Sequence, residues 1–285
     1  MTRRARRTAL TVVLLPLAAI LLVPPASPAV AQTEMCQGQP ATIVATTSEG
    51  ATGTDGDDVI VARVGSERFR AWGKDGDDLI CVSGNPPKGV DVAVDGSAGH
   101  DSLELEFGEA PNTLYLFDVE DLDVSLGGGF DRLSVFGARG TGRIDGGPDG
   151  GAALVGARKK LTLDMSTESL VVRDDRPGTG RFTFRGFQRV KASARRLSLT
   201  GDAGDNGFEI TGCRGTVRGG GGDDVLVMAS RGCDTKFRLL GGQGDDRLRG
   251  YKYGDVLIGG PGNDRVDGGP GDDRCVAEKE KDCER

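Results

Sequence analysis

Histidine is almost missing from this chain: there is one, His100, in 285 residues. A helical H-E-x-x-H zinc site needs two histidines and is excluded. Any Ser-His-Asp or Cys-His mechanism would have to run through His100 itself. Tryptophan is as scarce, with Trp72 alone, and aromatic residues make up only 5% of the chain. A thick aromatic core is therefore not available. No two cysteines stand in a C-x-x-C pair, so the usual zinc-ribbon spacing is unfilled. Glycine is abundant instead, at 47 residues. It is spread along the whole length, which excludes a long helical bundle, because each interior helical glycine costs ~1 kcal/mol. It does not recur at every third position, which excludes a collagen helix.

The first residues read as an export signal. Arg3, Arg4, Arg6 and Arg7 form a basic start, residues 8–23 are apolar with Pro16 inside them, and Ala29-Val30-Ala31 precedes Gln32 as a small-x-small cleavage site. The run is shorter than the ~20 apolar residues of a membrane span and holds a proline. A secreted, extracellular chain with residues 1–31 removed and no membrane span is expected. Removal takes away four arginines and no acid, lowering the 36 Lys+Arg to 32 against 43 Asp+Glu and the net charge from −7 to −11. Such a chain is repelled by phosphate backbones and anionic lipid, so no nucleic-acid partner is expected and a cation is. Cys36, Cys81, Cys213, Cys233, Cys275 and Cys283 all follow the cleavage point. An even count in an exported chain points to disulfides, with the connectivity open.

The C-terminal part divides without gaps into nonapeptides: GGQGDDRLR at 241–249, GYKYGDVLI at 250–258, GGPGNDRVD at 259–267 and GGPGDDRCV at 268–276. The sixth position is always aspartate: Asp246, Asp255, Asp264 and Asp273. The eighth is Leu248, Leu257, Val266 or Cys275, apolar each time. Looser copies begin at Gly53, Gly73, Gly96, Gly127, Gly201 and Gly219 and put Asp58, Asp78, Asp101, Asp131, Asn206 and Asp224 at the equivalent place. A degenerate copy at 146–154 has Gly151 there, and the copies over 127–154 read as plain corners. Several steps lie near two nonapeptides, which is one full coil of a solenoid.

This pattern resembles the hemolysin-type (RTX) calcium-binding repeat, G-G-x-G-x-D-x-U-x, closely over 219–276 and in scattered form over 53–135. The resemblance implies an all-β, right-handed parallel β-helix or β-roll solenoid with Gly/Asp-rich turns. It implies Ca2+ between adjacent coils, held by turn carbonyls and by the carboxylates of Asp58, Asp78, Asp101, Asp224, Asp246, Asp255, Asp264 and Asp273, with Gly241, Gly259 and Gly268 opening the turns. Toxin activity does not carry over, because the family's toxins leave by a C-terminal signal. The residue chemistry supports the same expectation. Glycine permits φ > 0 and close approach of carbonyls, and calcium takes 6–8 oxygen ligands, more than one nonapeptide supplies. Two turns stacked ~4.8 Å apart can supply them. Asp246 with Asp264 forms one such pair and Asp255 with Asp273 another on the opposite side.

Each unit buries one apolar residue, worth ~1.5–3 kcal/mol, while ordering its backbone costs ~1–2 kcal/mol per residue. The array is therefore expected to order only with a cation. The expected organisation is a signal at 1–31, a β-solenoid with scattered repeats at 32–154, repeat-poor β coils at 155–200, and the repeat-rich β-roll at 201–285. A solenoid register suggests Cys213 with Cys233 across adjacent coils, Cys275 with Cys283 closing the last coil, and Cys36 with Cys81 pinning the first.

His100 is read as a solvent-facing turn residue, Trp72 as core or edge packing, and Arg158-Lys159-Lys160 and Arg195-Arg196 as solvated faces. Glu104, Glu106, Glu109 and Glu120 are the candidates for a carboxylate pair, whose separation sugar chemistry depends on. The functional expectation is a non-catalytic calcium-binding solenoid with a structural or adhesive role, its partner a cell-surface glycan or protein. The alternative is a calcium-dependent β-helix polysaccharide lyase or epimerase.

Overall fold

Alternation of apolar and polar residues, rather than aromatic bulk, builds the core. The computed structural model describes residues 34–46, 50–65, 68–109, 113–175, 178–229, 233 and 236–284, and every regular element among them is a β-strand. No helix among the described residues is long and apolar enough to cross a membrane. The export signal read at 1–31 lies outside the described residues.

The strands form two facing ladders. The first face starts with Ile43–Ala45, Val59–Val64, Leu79–Gly84, Ser102–Phe107, Asp121–Ser125 and Thr141–Asp145, each parallel to the next. The second face starts with Ala51–Thr52, Phe69–Asp75, Asp91–Ala98, Thr113–Phe117, Asp131–Phe136 and Gly151–Gly156, again all parallel. Two long strands, Arg189–Thr200 and Gly207–Gly221, serve both faces, their first halves in the second ladder and their last halves in the first. Lys236–Gln243, Val256–Ile258 and Arg274–Val276 then continue the first face, and Val225–Met228, Arg247–Arg249, Arg265–Asp267 and Lys279–Lys281 the second. The result is a parallel β-solenoid of about 11 turns.

Register turns the alternation into columns. Phe69, Val92, Leu114, Leu133, Ala153, Val190, Phe208, Leu226, Leu248 and Val266 stack one above another inside the second face, all of them buried. Ala62, Val82, Leu105, Val124, Ile144 and Phe184 do the same inside the first. Apolar neighbours one coil away keep each column dry, because a parallel strand aligns like faces.

Two expectations are corrected. Residues 155–200 are not simply further coils. Lys160–Asp164, Ser169–Arg173 and Gly180–Arg185 form an antiparallel meander set into the first face. The four residues 165–168 between the first two strands are too few for the crossover that a parallel pair needs. Asp164 Oδ1 fixes that turn by accepting from Ser166 Oγ (2.6 Å) and the Thr167 N–H (3.2 Å). Of the two readings for Trp72, core or edge packing, the first is overturned. Alternation sends Phe69 and Ala71 inward and leaves Trp72 outside, 43% exposed, donating Nε1–H to Ser97 Oγ at 2.6 Å.

Disulfides join Cys36 to Cys81, Cys213 to Cys233 and Cys275 to Cys283. The first anchors the hairpin Met35–Cys36/Gln39–Pro40 on the outer side of the first face, where it covers Val61 and Leu79.

Leu114 is fully buried between Val92 and Leu133. Leu114→Ala should cost ~2–5 kcal/mol, since a column closed above and below cannot collapse into the space. Denaturant unfolding of the variant against the parent measures it.

Candidate metal centre

The Gly/Asp segments form the corners where one face passes into the other. Residues 201–206, 219–224, 241–246 and 259–264 turn from the first face to the second; 250–255 and 268–273 turn back along the opposite edge. The corners at 53–58, 73–78 and 96–101 also lie on that opposite edge. The aspartates that look like one series in the sequence are therefore three rows.

Within a corner, the glycines do different work. Gly220 and Gly242, at the second position, adopt φ of 118° and 126°, and Gly222 and Gly244, at the fourth, 85° and 124°, a region open to glycine. The first-position glycines are required for space instead. A Cβ at Gly241 would overlap Asp246 Oδ2 and lie 2.6 Å from the Gly259 carbonyl oxygen. At Gly219 it would overlap Asp224 Oδ2 and lie 2.5 Å from the Gly241 carbonyl oxygen.

Four of the sixth-position carboxylates, Asp224, Asp246, Asp264 and Asp273, are divided between two tasks. One oxygen accepts the backbone N–H of its counterpart one coil earlier: Asn206 N donates to Asp224 Oδ1 (2.8 Å), Asp224 N to Asp246 Oδ1 (2.9 Å), Asp246 N to Asp264 Oδ1 (2.9 Å) and Asp255 N to Asp273 Oδ1 (2.7 Å). The other oxygen, Oδ2 of Asp224, Asp246, Asp264 and Asp273, is buried with no hydrogen-bond donor among the described residues. Across the space left by the missing Cβ, Asp224 faces the Gly241 carbonyl, Asp246 the Gly259 carbonyl and Asp273 the Asp282 carbonyl. The rows end on glutamates: Asp264 N donates to Glu278 Oε2 (2.8 Å) and Asp273 N to Glu284 Oε2.

A second ladder runs outside the first with opposite polarity. Asp223 N donates to Asp205 Oδ1 (2.8 Å), Asp245 N to Asp223 Oδ1 (2.8 Å) and Asn263 N to Asp245 Oδ1 (2.9 Å). Sequence reasoning missed both Glu278 and Glu284 and this outer ladder. The glutamates stand 14 and 11 residues beyond Asp264 and Asp273, short of a full coil, so the repeat spacing hides them. The doubled acid of G-D-D was the available signal for the outer ladder.

Two predicted ligands are already satisfied. Asp58 accepts from Thr42 Oγ1 on one oxygen and from Thr54 N and Oγ1 on the other. Asp255 accepts from Phe237 N and Tyr251 N. His100 is exposed, with its N–H on Asp77 Oδ1. Glu104 and Glu106 point outward from their strand.

Electrostatics follow from this layout. Burial, opposed by the Asn206 N–H and reinforced by Asp246, pushes the Asp224 carboxyl up to about 7. Burial likewise raises Asp246 to about 6, with Asp264 adding to it. Asp255 and Asp273 are raised by burial as well. Burial pulls Asp58 the same way, but its hydrogen bonds from Thr54 and Thr42 outweigh it and hold it below the ordinary value. Buried acceptors that face each other without donors are costly, and stacked carboxylates compound the cost. An oxygen-seeking cation relieves both. Among the described residues no three His, Cys, Asp or Glu side chains converge as a metal cluster. The donor set is instead one carboxylate oxygen per corner with backbone carbonyls, all hard oxygen, which fits Ca2+.

A family model for the RTX calcium-binding nonapeptide repeat matches residues 240–275 as 4 copies. Those copies are the four last corners described above, and repeats of this type bind Ca2+. A search of curated proteins finds no match.

Two outcomes follow. In chelator, the raised carboxyls of Asp224 and Asp246 bind protons more tightly folded than unfolded. Their stabilisation is therefore complete below the ordinary carboxylate value of 3.8 and is lost as pH rises towards about 7. Calorimetric melting in chelator should fall from about pH 5 to about pH 8, and the fall should vanish or reverse in calcium, which needs the ionised form. Gly241→Ala should lower the melting temperature in calcium by more than in chelator, because its Cβ enters the carboxylate–carbonyl space.

Proposed function

We propose that this protein is an exported calcium-binding β-solenoid whose C-terminal corners take up Ca2+ outside the cell, and that its role is structural or adhesive rather than catalytic. The observation that carries the reading is the row of buried second oxygens on Asp224, Asp246 and Asp264, all without a donor among the described residues, those of Asp224 and Asp246 set against the Gly241 and Gly259 carbonyls. When bound, calcium supplies positive charge and coordination to those oxygens. The chain's own groups do the rest: the Oδ1 ladder holds each carboxylate in register, and the first-position glycines keep the space open. Asp273 and its glutamate-ended row on the opposite edge extend the same arrangement.

Export is supported by the three disulfides, since such bonds persist in oxidising compartments. Corner sites with the ~10⁻⁴–10⁻³ M affinity of extracellular modules fill outside a cell and empty within it. Folding of the C-terminal corners is then coupled to arrival in calcium, each site adding ~1.4 kcal/mol at tenfold saturation.

Titration calorimetry of the protein with calcium tests this reading. Several equivalents should bind, and Asp246→Ala with Asp264→Ala should remove part of them. Chelator should reduce the β circular dichroism signal, and a spectrum indifferent to chelator would overturn the coupling. No turnover of uronate polymers is expected with calcium present; turnover would favour the catalytic alternative.

A further inference from the structure

The outer side of the first face changes its charge along the solenoid. In the earlier coils outward cations meet acids: Arg63 pairs with Glu34 (2.9 Å), Arg143 with Asp123 (2.9 Å) and Arg185 with Asp145. Past the strand Gly180–Arg185 this pairing stops. Arg173 lies opposite Lys160, Lys160 opposite Arg196, Arg196 opposite Arg214 and Arg214 opposite Lys236. Five cations from five neighbouring strands thus stand in one row. All are exposed, and among the described residues none of them is in an ion pair.

Two residues further along the same strands, Thr162, Ser198 and Thr216 stack as a half-buried row of hydroxyls that runs on to Arg238. Asp164 is the one acid among these outward positions, and its Oδ1 is committed to the turn at 165–168. Like charges set directly opposite each other on a sheet are destabilising. The chain as a whole is acidic, at net −7, so acids were at hand to break the row. In the sequence these cations look like separate short runs such as Arg195-Arg196; register alone brings them together.

We infer that this wall binds a linear acidic polysaccharide lying along the solenoid axis, its carboxylate or sulfate groups on the cation row and its hydroxyls on the Thr162, Ser198 and Thr216 row. Strands advance ~4.8 Å per step, close to the advance of one sugar ring in an extended chain, so anions on successive rings meet successive cations. Arg173, Arg196 and Arg214 offer guanidinium forks, which take two oxygens of one anion together. Paired strands hold the cations at fixed spacing, which lowers the ordering cost of binding. No aromatic residue faces outward on these strands, and a single-stranded nucleic acid needs such stacking platforms. The inference names the partner of the adhesive role proposed above and rests on that reading. The row itself lies outside the matched repeats at 240–275.

Fluorescence anisotropy of end-labelled oligosaccharides with the full protein in calcium tests it. The probes are a heparin oligosaccharide for sulfate and a galacturonate oligosaccharide for carboxylate. At least one should bind, and more weakly as salt screens the exposed charges. Arg196→Gln with Arg214→Gln should weaken binding about tenfold, the worth of two exposed charge contacts at the centre of the row. Arg247→Gln with Arg265→Gln removes the same charge from the other face, where Asp267 and Lys281 are paired nearby, and should change binding by less than about twofold. Without glycan, the Arg196 and Arg214 double variant should melt no lower than the parent, because opposed like charges are gone. A lower melting temperature would make the row a structural element and overturn the inference. Equal losses in the two double variants would also overturn it, as would no binding of either oligosaccharide, or tighter binding of an oligothymidylate or of phosphatidylserine vesicles. Calcium calorimetry on the same sample separates the two readings. Calcium uptake without glycan binding strikes this inference alone, and glycan binding without calcium uptake strikes the calcium reading alone.

Discussion

A carboxyl group shared between two neighbouring coils is the interaction on which the rest of this solenoid depends. One of its oxygens takes the backbone N–H of the coil before, so the corner is fastened to its neighbour at a distance of 2.8–2.9 Å in the C-terminal row. The other is turned into the corner against a carbonyl. The first contact is satisfied within the chain, and the second creates a need for positive charge. Removing the carboxylate would lose the fastening; keeping it leaves a buried charge. Calcium binding is thus a consequence of how the corners are joined, since the ion answers a cost the fold has already incurred.

The flat walls obey a simpler rule. Their columns are apolar because parallel register sets like residues above like, and this holds through the N-terminal coils, whose lengths vary from 17 to 23 residues, as well as through the 18-residue coils near the end. Where the acid is missing, as at Gly151, or where Cys213 and Cys233 link adjacent coils, other means hold the edge. The meander at 160–185 interrupts one face without disturbing the other, since its inward residues Leu161, Leu163, Leu170, Val172, Phe182 and Phe184 keep the core filled.

Much of this was legible beforehand. Four nonapeptides in unbroken phase announce stacked turns, and the invariant Asp246, Asp255, Asp264 and Asp273 announce the acid at each corner. Alternation around Val92, Leu105 and Leu116 marks the inward columns. The spacing of Cys213 and Cys233 matches a coil. Less legible were Glu278 and Glu284, which close the rows from a shortened last coil, and Arg139, which meets Glu120 from the next turn of the chain. For Trp72 the core alternative fails, because alternation from Phe69 and Ala71 puts it outside.

By itself the sequence determined the β-solenoid class, the kind of residue at every corner and the all-oxygen character of the donors, because these are local properties of a nine-residue unit and its period. Tertiary structure alone decided which edge each corner joins, since that depends on the length of every connection in between. It also decided which acids are left with an oxygen lacking a donor. Asp58 and Asp246 occupy the same place in the repeat, yet Thr42 and Thr54 satisfy one and no donor among the described residues satisfies the second oxygen of the other. That difference lies in what stands one coil away, a neighbour that the order of residues does not name.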